Sequence, residues 1–85
     1  MRSTGKITKV YYFSPHEGHH SKIVLEIKTG EGKEVAVEKI ATQEALADEF
    51  GFFIRAPHQW VTDSIENRSC ELEITDDKVS FIRYI

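Results

Sequence analysis

The sequence predicts a small, β-rich α+β domain of five short strands, with one or two short helices before the fourth strand. Two observations lead to this prediction. Apolar and polar residues alternate over much of the first forty and the last sixteen residues, which is the period of a β-strand. Between these segments the period changes to that of a helix. The 85 residues are expected to form one domain (1–85) that buries roughly 60–65% of the surface of its unfolded chain.

Three strands are predicted in the first half of the chain. Residues 5–13 are rich in β-branched and aromatic side chains, which favour strands. Strict alternation places Ile7, Tyr11 and Phe13 on one face of this strand, and Val10 and Tyr12 on the other. Residues 22–29 alternate most regularly, and a turn at 30–32 joins them to a strand over 33–39 in a predicted hairpin. The predicted inward residues of the hairpin are Ile23, Leu25, Ile27, Val35 and Val37.

The middle of the chain predicts helices. Thr42 is a favourable N-cap, and Gly51 is suited to ending a helix after Phe50. The predicted apolar face of this helix consists of Ala45, Leu46 and Phe50. Pro57 is suited to the first turn of a second helix that ends near Asn67. In that helix one face would carry Trp60, Val61 and Ile65. Alternation then returns and predicts strands over 70–75 and 79–84, joined by a turn.

The predicted order is β-β-β-α-(α)-β-β, which resembles the order of elements in an OB-fold, a small and partly open five-stranded barrel. An SH3-like barrel, or an α+β sheet with helices on one face, fits the pattern nearly as well. The OB-like pattern implies that oligonucleotides would bind to the face of strands two and three and to its flanking loops.

Composition and charge exclude several classes of function. The net charge is −3, but residues 1–40 hold seven basic and five acidic residues, whereas residues 41–85 hold four and nine. Such a chain is not a nucleic-acid binder driven by overall charge, although the first half could present a basic face. The sequence has no stretch long enough for a membrane helix and has a single cysteine, Cys70, and its polar N-terminus leads us to expect no signal peptide. We therefore expect a cytoplasmic protein without disulfides.

A histidine-rich loop is the first candidate site. His16, His19 and His20 lie within five residues, and imidazole is a common ligand of zinc, copper and nickel. Glu17, His58 or Cys70 could complete such a site. The spacing matches no standard zinc motif, so a polar loop without a metal is the favoured interpretation. No cofactor is predicted.

Aromatic and basic residues of the first three strands form the second candidate site. In an OB-like barrel, exposed rings stack on bases while lysines bind the phosphates. The ordinary alternative is that the rings pack in the core or on the sheet and that the lysines keep it soluble. The candidate nucleic-acid-binding residues are Lys9, Tyr11, Tyr12, Lys22, Lys28 and Lys33.

No catalytic motif is present in the sequence: there is no nucleophile elbow, P-loop or dinucleotide fingerprint. We therefore expect a non-enzymatic protein. The leading hypothesis is a small protein-interaction module, of the adaptor or inhibitor type, that binds a protein partner or a second copy of itself through an exposed sheet edge. The alternatives are an OB-like domain that binds single-stranded nucleic acid, and metal binding by the loop at 16–20.

Overall fold

The computed structural model describes residues 1–13, 20–55, 59–76 and 78–85. These residues form a small, mostly-β domain with a curled five-stranded antiparallel sheet, which makes a half-barrel, and one short helix. No helix within the described ranges is long and apolar enough to cross a membrane. The elements are β1 (Arg2–Phe13), β2 (Ser21–Thr29), β3 (Glu34–Ala41), α1 (Gln43–Phe50), β4 (Phe53–Arg55), β5 (Gln59–Val61), β6 (Ser69–Thr75) and β7 (Lys78–Tyr84).

The five long strands form a sheet with the order β3-β2-β1-β6-β7, and all of its pairs are antiparallel. After the hairpins β1–β2 and β2–β3, the chain passes through α1 and the small β4–β5 hairpin before β6 returns to lie beside β1. This connection is a Greek key. The sheet curls so that its edge strands β3 and β7 approach each other and line one cavity of about 300 Å³. The prediction of a β-rich, barrel-like domain is confirmed.

The inner face of the curled sheet holds the core. The inward residues predicted for β2 are confirmed, because Ile23, Leu25 and Ile27 are buried. In β6 the alternation is also confirmed, since Cys70 and Leu72 are buried. Burial raises the pKa of the Cys70 thiol, so it stays protonated and packs as a small apolar group. The core is completed by Ile7, Val10, Val37, Leu46, Phe50, Phe52, Trp60 and Ile65.

A β-bulge in β1 makes the predicted faces of this strand wrong. The pairing of β1 with β2 shifts by one residue between Ile7 and Lys9, so Thr8 is the extra residue of the bulge. Ile7 and Val10 are therefore both buried, although they are three residues apart. Beyond the bulge the alternation is reversed, which places Tyr11 and Phe13 on the outer face, opposite to the face that holds Ile7.

Helix α1 has the predicted bounds, and both of its ends are explained by the sequence. The Thr42 side chain accepts a hydrogen bond from the Ala45 amide at 3.2 Å, as an N-cap residue does. Gly51 has φ 71°, a left-handed conformation that costs glycine little, and it ends the helix. Leu46 and Phe50 are buried as predicted, whereas Ala45 is exposed.

The predicted second helix is wrong. Its start, Pro57, lies outside the described residues, and Trp60 and Val61 belong to strand β5. Aromatic and β-branched residues favour a strand here, and β5 pairs with β4, which gives its backbone hydrogen-bond partners. Residues 63–67 form a turn, and Asn67 ends it with φ 68°. The four-residue spacing of Val61 and Ile65 was misleading, because Trp60 reaches the core from a strand and Ile65 reaches it from a turn.

The last strand is tied to the helix by Tyr84. Its hydroxyl donates a hydrogen bond to the carbonyl oxygen of Phe50, near the end of α1. The Arg68 guanidinium lies 4.0 Å from the centre of the Tyr84 ring, within the range of a cation–π interaction. Burial raises the pKa of Tyr84 to about 12, against the lowering effect of the nearby Arg68 charge. The neutral tyrosine therefore links the end of β7 to the end of α1.

Candidate functional site

The outer face of β1, β2 and β3 carries an exposed group of apolar and basic side chains. Cross-strand partners in a sheet point to the same face, so the register defines two rows on this face. One row joins Phe13, Lys22 and Ile40, and the next joins Tyr11, Val24 and Glu38. We call the following residues the outer patch: Lys9, Tyr11, Phe13, Lys22, Val24 and Ile40.

The aromatic members of the outer patch are accessible to a ligand. Tyr11 is 38% exposed and Phe13 is 55% exposed, and Ile40 beside them is 61% exposed. A domain of this size needs its aromatic rings to build a core, because each ring contributes a large apolar area. Two exposed rings on one face make this face the candidate contact surface.

Each exposed ring of the outer patch has a lysine beside it. The Lys9 ammonium lies 5.1 Å from the centre of the Tyr11 ring, and the Lys22 ammonium lies 5.7 Å from the centre of the Phe13 ring. These distances allow cation–π attraction, which is modest at exposed positions. Lys22 also forms an exposed ion pair with Glu38 at 3.2 Å, an interaction of little energy in water. Both ammonium groups thus stay in reach of an anionic ligand.

Positive charges slightly outnumber negative ones on the outer face of β1–β3. The register places five basic residues there, which are Arg2, Lys6, Lys9, Lys22 and Lys28, and three glutamates, which are Glu26, Glu34 and Glu38. This face is slightly positive, whereas the chain carries −3. The arrangement can hold the phosphates of a strand locally without making the protein a general polyanion binder.

Tyr12 does not belong to the outer patch, although it stands between Tyr11 and Phe13 in the sequence. Its Cα partner in β2 is the buried Ile23, so its side chain points to the inner face. The Tyr12 ring stacks on Trp60, with centroids 4.9 Å apart and planes at 12°. Trp60 stacks in turn on Phe52 at 5.0 Å and 20°. Tyr12 is the outermost ring of this stack and is 39% exposed, about as much as Tyr11, so the stacking contact and not the exposure distinguishes the two rings.

The other predicted nucleic-acid-binding residues lie in two places, the outer patch and the far end of the sheet. Lys9, Tyr11 and Lys22 come together in the outer patch. Lys28 lies on the same face but further along β2, where its Cα partner in β1 is Lys6. Lys33 lies in the turn before β3, at the same end of the sheet, and its amide donates to the Thr29 hydroxyl at 3.2 Å.

Three residues of the outer patch were not among the predicted site residues: Phe13, Val24 and Ile40. A signal for Val24 exists in the sequence, because it is the one apolar residue on the polar face of β2. For Phe13 the signal is hidden by the bulge at Thr8, which decides its face. Ile40 has no such signal, since its position on the outer face depends on the β2–β3 register.

The candidate metal residues of the loop lie mostly outside the described part of the chain. This applies to His16, Glu17, His19 and His58. His20 is described and is exposed just before β2 begins. Cys70, a proposed additional ligand, is fully buried in β6 on the inner face of the sheet. Within the described ranges, no three His, Cys, Asp or Glu residues are grouped so that they could hold a metal ion.

Comparison with protein families, with curated proteins and with solved structures gives no match to this chain. Any functional inference therefore depends on the geometry of its own residues.

Proposed function

We propose that this chain is a non-enzymatic binding module of OB-like architecture, and that it binds single-stranded nucleic acid on the outer face of β1–β3. One observation carries the proposal: Tyr11 and Phe13 are exposed on the same face, and each has a lysine ammonium within 6 Å of its ring. Exposed rings stack on bases, and neighbouring lysines neutralise the phosphates that link those bases.

The topology supports an OB-like architecture over the SH3-like alternative. An OB-fold is a partly open five-stranded Greek-key barrel, and here five strands form a half-barrel in which β6 returns beside β1. Helix α1 lies in the connection between the third and fourth strands of the sheet, as the sequence pattern predicts. In OB-folds the face of the second and third strands, with its flanking loops, binds oligonucleotides. The outer patch lies on this face and extends onto β1.

Stacking predicts which nucleic acids bind. In a duplex the bases are stacked on one another and their faces are not free for a protein ring. A single strand can open its bases onto Tyr11 and Phe13, and every base offers a ring face. We therefore expect binding to single strands that tolerates changes of sequence and weakens as salt rises.

A protein partner is the second candidate, and two exposed apolar side chains favour it. Ile40 is 61% exposed on the edge strand β3, and Phe53 is 72% exposed on the β4–β5 hairpin. Exposed apolar groups of this kind are frequent at protein interfaces. An edge strand can also accept an extended segment of a partner through its backbone groups. Phe53 has no role in the first proposal. Ile40 belongs to the outer patch and lies beside Phe13, but it does not stack on bases.

Fluorescence anisotropy with two labelled strands of equal length tests the proposed function. One strand is oligothymidylate, and the other is the same sugar–phosphate chain without bases. Both carry the same charge, but only the first can stack on the rings. We expect oligothymidylate to bind more tightly, by about 1–3 kcal/mol for each stacked base. Equal affinities would show that charge alone attracts the strands, and no binding of either strand at low salt would leave the protein partner as the function to pursue.

A further inference from the structure

A groove lies at the other end of the same outer face, beside the β2–β3 turn. This groove is open to solvent and has a volume of about 480 Å³. Its polar lining comes from Lys6 and Lys28 together with four hydroxyl residues, Thr4, Thr8, Thr29 and Ser69. We call it the Lys6–Lys28 groove. Gly5, Gly30 and the exposed Ile85 complete the lining, and no acidic side chain is among the described lining residues.

The two lysines of the groove are direct cross-strand neighbours. Lys6 in β1 and Lys28 in β2 are Cα partners, and like charges placed opposite each other in a sheet destabilise it. No ion pair between described residues includes either lysine. Glu71, the Cα partner of Thr4 in β6, is already paired with Arg2 at 3.3 Å and with Arg83 at 3.5 Å. Glu34, the Cα partner of Lys28 in β3, does not line the groove.

Hydrogen-bond donors accompany the two charges. Ser69 is the cross-strand partner of Lys6 in β6 and brings a hydroxyl to the same row. Thr4, two residues before Lys6 in β1, lies on the same face and brings another. Thr29 is buried on the inner face, where its hydroxyl accepts a hydrogen bond from the Lys33 amide, so it does not accompany the lysines. The Thr8 hydroxyl donates to the Glu26 carbonyl at 3.1 Å, so it shapes the wall rather than binding. Positive charge with hydroxyl donors suits a phosphate group, whose oxygens are acceptors.

We infer that the Lys6–Lys28 groove binds a phosphate group, and that this phosphate belongs to the strand whose bases stack on the outer patch. The inference rests on the proposed function. From Lys22 to Lys28 the face extends along six residues of β2, or roughly 20 Å. A strand that passes over Phe13 and Tyr11 and continues along β2 arrives at the groove, which would anchor its far end.

The salt dependence of binding tests the groove. The double variant Lys6→Gln/Lys28→Gln is compared with the control Arg55→Gln/Lys78→Gln, which removes the same charge from exposed positions on β4 and β7. The probe is labelled oligothymidylate of about 12 nucleotides, within the site sizes of 4–16 typical of one OB-fold. Each neutralised phosphate contributes about 0.7 to the slope of log affinity against log salt concentration for single strands, so the groove variant, which loses the contact to one phosphate, should lose about 0.7. The control should keep the wild-type slope, and equal slopes for the two variants would overturn the inference.

Inorganic pyrophosphate separates the failure of this inference from the failure of the proposed function. It is added to the ¹⁵N-labelled protein, and the amide signals of Gly30 and Ser69 are followed by NMR. We expect shifts that saturate in the wild type and in the control and that disappear in the groove variant. If oligothymidylate fails to bind but these shifts remain, the proposed function is wrong and the groove binds free phosphate compounds. If pyrophosphate causes no shift and the salt slopes are equal, the groove is not a phosphate site.

Discussion

The inner and outer faces of β1 each carry a tyrosine, and the two tyrosines have different surroundings. Tyr12 points inward and stacks at 4.9 Å on the buried Trp60. Its neighbour Tyr11 points outward, with the Lys9 ammonium 5.1 Å from the centre of its ring. Adjacent residues of a strand point to opposite faces, so one ring contributes to stability while the next is available to a ligand. Substitutions on the two faces should therefore change different measurements.

The largest expected effect lies on the inner face. Trp60→Ala removes the middle ring of the stack between Tyr12 and Phe52, and it leaves a cavity that the neighbours cannot fill. We expect the free energy of unfolding to fall by about 3–5 kcal/mol, measured by urea denaturation. Tyr11→Ala should change it by less than about 0.5 kcal/mol, as is usual for surface positions.

If Tyr11→Ala destabilised the domain as much as Trp60→Ala does, the claim that only the inner face contributes strongly to stability would be contradicted. Because Trp60→Ala could prevent folding altogether, Trp60→Phe serves as a milder variant. It keeps an aromatic ring in the stack and should cost less than the alanine substitution does.

A smaller effect is expected at Tyr84, which joins β7 to the end of α1. Burial raises its pKa to about 12, whereas an unfolded tyrosine ionises near 10. The folded state therefore favours the neutral form, and this contribution is complete below about pH 10 and is lost as the pH rises from 10 to 12. Tyr84→Phe removes the hydrogen bond to the Phe50 carbonyl and should cost about 0.5–1.5 kcal/mol at neutral pH.

Urea denaturation across this pH range checks the assignment. The difference in unfolding free energy between the wild type and Tyr84→Phe should shrink between pH 10 and pH 12. A difference that stays constant over this range would show that Tyr84 is not a neutral, buried donor in the folded protein.

The elements of the fold that depend on neighbours in the sequence are predictable. The alternation of β2 places Ile23, Leu25 and Ile27 correctly, and the caps Thr42 and Gly51 define α1. The β4–β5 hairpin is not predictable in this way, because Val61 and Ile65 are four residues apart, a helical spacing, and Trp60 and Ile65 are both buried. Only the pairing of β5 with β4 distinguishes a strand from a helix at this point.

The candidate site is predictable in its residue types but not in its geometry. The sequence indicates aromatic rings and lysines in the first strands, and Lys9, Tyr11 and Lys22 do come together. It does not separate Tyr12 from this group, since the bulge at Thr8 decides which rings face outward. A bulge leaves no fixed signature in the sequence, because it depends on the pairing of β1 with a strand that follows it.

The measurement that tests the central claim most directly is the affinity of the variant Tyr11→Ala/Phe13→Ala for labelled oligothymidylate, determined by anisotropy. The matched control is Phe53→Ala, which removes an exposed ring from the β4–β5 hairpin outside the outer patch. We expect the double variant to lose about 1–3 kcal/mol of binding free energy for each base that loses its ring, while its urea midpoint stays near that of the wild type. The control should bind as the wild type does. An unchanged affinity in a folded double variant, or an equal loss in Phe53→Ala, would contradict the assignment of the outer face as the nucleic-acid-binding surface.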